Sequence, residues 1–109
     1  MAYDEDLADR LRELVACERG LTEKRMFGGL AFLLDGHMAV SASGRGGLMV
    51  RVDPATSDDL VADARAERMV MQGRPMDGWL RVDAEGLDDA GLATWVARGV
   101  AYARSLPPK

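Results

Sequence analysis

One cysteine, one histidine and four prolines are spread through the 109 residues. A lone Cys17 excludes an intrachain disulfide and a thiolate metal cluster. It stands three residues after Leu14 at the end of a helical pattern, which predicts a small buried hydrophobe in preference to a reactive thiol. Long apolar runs are missing too. The longest, Leu30 to Leu34, falls far short of the roughly 20 residues that span a bilayer, and the N-terminus is acidic rather than basic and then apolar. Neither a membrane span nor a secretory signal is expected, so the expected location is the cytoplasm. Positive charge is also in short supply, with 14 basic against 18 acidic side chains and a net charge of −4. That balance counts against direct nucleic-acid binding.

What is present is ordinary for a globular protein, with 48% apolar and 29% charged residues. A chain of this size buries roughly 65% of its unfolded surface around one core. A single domain over residues 1–109 is therefore expected. Its charge is uneven. Residues 23–53 hold the bases Lys24, Arg25, Arg45 and Arg51 against the acids Glu23, Asp35 and Asp53. The segments before and after are negative, and the last, residues 78–109, is neutral.

Tyr3, Leu7, Leu11, Leu14 and Val15 recur at helical intervals with acids on the other face, predicting a first helix that ends near Gly20. Leu30 to Leu34, Met38 to Ser43 and Leu48 to Val52 then read as three strands. Asp35-Gly36 and Gly44-Arg45-Gly46-Gly47 supply the tight connections, and Asp-Gly suits a hairpin with positive φ at both central positions. Leu48, Val50 and Val52 share one face of the third strand, as in a sheet buried on one side. Pro54 opens a short helix carrying Leu60, Val61 and Ala64. Arg68 to Gln72 and Gly78 to Asp83 form a second strand pair. The last helix has Asp88 as N-cap, a staple of Leu87 on Leu92, and a stripe of Leu92, Trp95, Val96, Gly99, Ala103 and Leu106. Gly99 on that stripe implies close approach of another backbone. The order α-βββ-α-ββ-α predicts an α+β two-layer sandwich, an antiparallel sheet with helices packed on it.

The search for chemistry is short. His37 follows the Asp35-Gly36 turn and reads as a solvated hairpin residue rather than a base or ligand, since no second ligand stands near it. Ser41, Ser43, Ser57 and Ser105 lack the strand-to-helix glycine elbow of a nucleophile. Asp58-Asp59 and Asp88-Asp89 stand at helix starts, where capping and the helix dipole explain them. The glycine-rich turn at 44–47 precedes a strand, not the helix that a phosphate loop requires. Met69, Met71 and Met76 read as filler at a thin strand pair, with an adaptable binding surface as the other reading. No enzymatic activity, metal or cofactor is expected.

Lys24-Arg25-Met26-Phe27-Gly28-Gly29 remains. Adjacent glycines weaken a strand, so one reading is a β-bulge that bends it and admits a neighbouring backbone. The other joins Arg25, Phe27, Gly28, Gly29, Arg51 and Trp79 into a basic and aromatic binding patch.

This segment carries a family resemblance. Arg25-Met26-Phe27-Gly28-Gly29, then Leu34-Asp35-Gly36, then Leu48-Met49-Val50-Arg51-Val52-Asp53, Gly78-Trp79-Leu80-Arg81-Val82 and Trp95-Val96-Ala97-Arg98 together resemble the N-terminal domain of the TfoX/Sxy family, over about residues 5 to 104. Met49 and Trp79-Leu80 stand where the family has tyrosines. The resemblance implies a two-layer fold of the secretion-chaperone type and a stand-alone single-domain member. Longer bacterial relatives regulate competence and transcription, alongside a cyclic-AMP-receptor type factor.

Three functions of different class follow as expectations. The first is a non-enzymatic regulatory module that binds a protein partner around Arg25 to Gly29 and Trp79, with a homodimer as a further pairing. The second is a small anionic-ligand-binding domain using Arg25, Arg45 and Arg51. The third, direct DNA binding, is disfavoured by the charge.

Overall fold

The computed structural model describes residues 4–26, 28–44, 46–60, 66–71, 73–83 and 87–107. Its strands are β1 (Leu21–Met26), β2 (Gly29–Leu34), β3 (His37–Ala42), β4 (Leu48–Arg51), β5 (Ala66–Met71) and β6 (Arg74–Val82). They form one antiparallel sheet in the order β1-β2-β3-β4-β6-β5. Helices α1 (Glu5–Val15) and α3 (Asp89–Ser105) pack on it, and a 3-10 turn at Pro54–Thr56 runs into the single turn of α2 (Ser57–Leu60) beside β6. The α+β two-layer sandwich is thus the fold. No described helix is long and apolar enough to cross a membrane.

The core follows from strand alternation and helix period. Phe32, Val40, Leu48, Val50, Leu80 and Val82 meet Leu7, Leu11 and Val15 of α1 and Leu92, Trp95 and Val96 of α3. Leu34 and Ala39 form a smaller cluster with Ala103. The α1 N-cap is Asp4, whose carboxylate accepts from the Leu7 amide at 3.2 Å. Asp88 caps α3 by accepting from the Gly91 amide at 2.7 Å. The Asp35-Gly36 hairpin has the expected conformation, with φ of 51° and 86°. Gly99 also has its expected reason, because a Cβ there would run into the carbonyl oxygen of Ala39. At that point β3 carries an extra residue, as the register with β2 shifts between Phe32 and Leu33.

Arginines tie the helices down. Arg12 of α1 makes two hydrogen bonds of 2.8 Å to the Glu23 carboxylate on β1. The first of several effects, hydrogen bonding from Arg12, holds the Glu23 carboxyl below its ordinary range. Arg10 donates to the Leu87 carbonyl at 2.9 Å and to Asp89 at 3.1 Å, joining α1 to the start of α3. Arg104 donates to the Arg19 carbonyl at 2.6 Å, to Asp35 at 3.1 Å and to Glu18 at 3.2 Å, fixing the end of α3 to two loops.

Several expectations are corrected. The sheet has a further strand, β1, and the element order becomes α-ββββ-α-ββ-α. Leu21–Met26 shows no apolar alternation, since Thr22 to Arg25 are exposed on an edge strand whose charges deter further pairing. α1 stops at Val15, five residues before Gly20, where the Glu18 amide donates to the Val15 carbonyl at 2.9 Å and closes a turn in place of a further helical one, and Leu14 is off the buried stripe at 38% exposure. Cys17 consequently falls in the turn beyond the helix and is exposed. His37 is buried, not solvated, at 8% exposure. Its Nε2 lies 2.5 Å from the Pro107 carbonyl oxygen, and because a carbonyl only accepts, Nε2 carries the proton. Tyr3, Val61 and Ala64 lie outside the described residues.

Candidate functional site

The glycine pair turns the chain rather than bending a strand. Met26 pairs with Gly29 in unbroken register, and Gly28 has a φ of 76°, so the motif closes a hairpin between β1 and β2. A positive φ is open to glycine at little cost. Gly29 has a different reason. A Cβ there would run into the carbonyl oxygen of Ala42 and stand 3.0 Å from the Gly44 amide nitrogen. The β1–β2 turn thus nests against the loop between β3 and β4, which Ser43 closes through 3.0 Å hydrogen bonds with Gly46 and Gly47. Phe27 and Arg45 lie outside the described residues.

Arg25 and Arg51 are not brought together. Arg25 shares a row with Leu30, Ala42, Leu48, Val82 and Ala66 across the whole sheet. Arg51 is three strands over from β1 and three residues further along β4, which puts it roughly 17 Å away measured along the sheet. The exposed Arg25 therefore sits beside the glycine hairpin, while Arg51 closes the opposite end of β4.

Arg51 and Trp79 do meet. They are direct cross-strand partners on β4 and β6. Just before Trp79, Gly78 adopts a φ of 85°, and its carbonyl accepts from the Val52 amide at 2.9 Å. The β5–β6 register also shifts between Arg68 and Met69, and such irregularities re-aim the adjoining side chain. The Arg51 guanidinium lies 5.1 Å from the centre of the Trp79 ring and 5.5 Å from that of Tyr102. Both fall within the range of cation–π attraction. All three side chains are half-buried, and no described carboxylate or carbonyl oxygen accepts from the Arg51 N–H groups.

Tyr102 is the residue that sequence reasoning missed. Its signal was available, since it falls seven positions after Trp95 and three after Gly99, on the flank of the buried stripe of α3. Only the packing of α3 against β3 and β4, which Gly99 admits, carries it to the sheet margin beside Arg51.

Several of the other candidate residues have structural partners. Asp88 caps α3 and Asp89 pairs with Arg10. Ser41 is buried and donates to the Ala42 carbonyl at 3.3 Å. Among the described residues, no three His, Cys, Asp or Glu side chains gather as a metal site would need. β4 pairs with only Trp79 to Val82 of β6, so the outer part of the β5–β6 hairpin pairs only with itself, and Val70 there is 57% exposed.

An α+β domain with helices laid on a six-stranded antiparallel sheet, and a cation held against aromatic rings at its margin, is the class that fold and site define. Within that class the chain belongs to the TfoX N-terminal domain family, whose model matches residues 13–103. No curated protein and no solved structure matches it.

Proposed function

We propose that the protein is a non-enzymatic, regulatory interaction module that binds a partner protein at the Arg51, Trp79 and Tyr102 margin, in the cytoplasm. The observation that carries this reading is a half-buried guanidinium resting on two rings with no described acceptor. Arginine, tryptophan and tyrosine are the side chains most enriched where interface energy concentrates, because they combine large contact area with directional donors. Membership in the TfoX N-terminal domain family supports a TfoX-like role, and control of competence or transcription comes to this chain as part of the proposal. Relative to the sequence-based patch, the surface moves from the glycine hairpin to the far end of β4.

Affinity purification of the tagged protein from its host, with wild type beside Trp79→Ala, tests the reading. A partner present with wild type and missing with the variant is the expected result. Identical partner lists from the two would overturn it.

Pairing with a second copy is the other partner reading, favoured by the exposed Val70 on the edge strand β5. Light scattering at high concentration checks it, and a monomeric mass would exclude it.

A further inference from the structure

We propose that Arg51 is the receptor for one carboxylate of the partner, an aspartate or glutamate side chain set between apolar residues. This rests on the partner-binding reading above and names the chemistry that the surface selects.

The donors are the first ground. A guanidinium offers five N–H bonds in a planar fork, and in Arg51 no described oxygen receives them. Contact with a ring satisfies the charge through the ring quadrupole and uses no hydrogen bond. Charge is the second ground. One guanidinium matches one carboxylate in charge and in the spacing of two parallel N–H···O bonds, whereas a phosphate dianion calls for further donors. Order is the third. Arg51 is fixed by pairing with Trp79 across the strands, and Tyr102 by a helix held on the sheet, so part of the side-chain entropy of binding is already lost on folding. The rings also lower the local dielectric around the ion pair and provide apolar walls for the residues on either side of the acid.

The test is a titration followed by nuclear magnetic resonance at the Arg51 Nε–H and the Trp79 indole N–H. The probes are acetyl-Leu-Glu-Leu-amide, its Gln counterpart, and inorganic phosphate. Saturating shifts at both residues are expected with the Glu peptide, with affinity roughly tenfold above the Gln peptide and roughly tenfold reduced by Arg51→Gln. Arg51→Lys, which keeps the charge and removes the fork, is expected to remain weakened. Equal binding of the Glu and Gln peptides would overturn the proposal, as would undiminished binding by Arg51→Lys. Inorganic phosphate binding more tightly than the Glu peptide would overturn it in favour of a phosphate site. In host purification, a partner lost with Trp79→Ala but kept with Arg51→Gln would sink the carboxylate and leave the interaction module standing. A partner list unmoved by either variant, with the Glu peptide still bound at Arg51, would sink the module and leave the carboxylate site.

Discussion

At one end of the sheet, Gly28 and Gly29 join β1 to β2 against the loop that follows β3; at the other, Arg51 and Trp79 meet Tyr102 at the end of β4. The first end holds the most conspicuous motif of the sequence. Its glycines answer to backbone needs, a positive φ and a contact that leaves no room for a side chain. The second end has no glycine pair, and its residues stand in three separate segments of the sequence. It nevertheless gathers a cation and two aromatic rings drawn from two strands and a helix, with hydrogen-bonding capacity that the described protein does not use. A motif of glycines signals where backbones come close, and a binding surface requires side chains, so the two need not coincide.

Substitutions at the two ends separate these roles. Gly29→Ala is expected to have the largest effect on stability, about 2–3 kcal/mol lost, since its Cβ meets the carbonyl oxygen of Ala42, a residue paired with strands on both sides. Urea unfolding measures it, and a loss below about 1 kcal/mol would show that the two loops can part. Gly28→Ala is expected to cost about 1 kcal/mol, because its φ is positive while the nearest atom to an added Cβ is 3.9 Å away. A cost equal to that of Gly29→Ala would erase the distinction between conformation and space. At the other end, Tyr102→Leu keeps the apolar bulk and removes the ring, and should cost only about 0.5–1 kcal/mol while loosening Arg51. A larger cost would mark Tyr102 as core rather than margin.

The smallest effect is expected between α1 and β1. The Glu23 carboxyl is held down in the folded state by hydrogen bonds from Arg12, so this contribution is present above the ordinary glutamate range and is lost as pH falls through the depressed folded value. Thermal melts of wild type and Glu23→Gln should therefore converge on acidification. Curves that stay parallel would mean that the exposed pair contributes nothing measurable.

Much of the fold was legible because it is locally encoded. The Asp88 cap and the Leu92, Trp95, Val96, Gly99 and Ala103 stripe could be read from helical period, and Leu48, Val50 and Val52 from strand alternation. β1 could not, because an edge strand carries Thr, Glu, Lys and Arg where a central strand carries apolar residues, and its strand state comes from pairing with β2. Cys17 and His37 were read in reverse for related reasons. One lies beyond a helix that ends early, and the other is covered by the segment after α3, which is 70 residues away in the chain. The candidate site was half legible. Arg51 and Trp79 were recognised as a pair of suitable residues, but their grouping with Arg25 assumed a proximity that the register denies.

The sequence by itself determined the turns at Asp35-Gly36 and at residues 44–47, the apolar faces of the helices and of the central strands, and hence that an antiparallel sheet would be roofed by amphipathic helices. Those properties depend on neighbours within a few residues, through φ preferences and side-chain period. Tertiary structure alone decided that β6 rather than β5 lies against β4, placing Trp79 opposite Arg51, and that α3 settles close enough for Tyr102 to reach them. Strand order and helix seating depend on burying every apolar face at once, and no single segment carries that information.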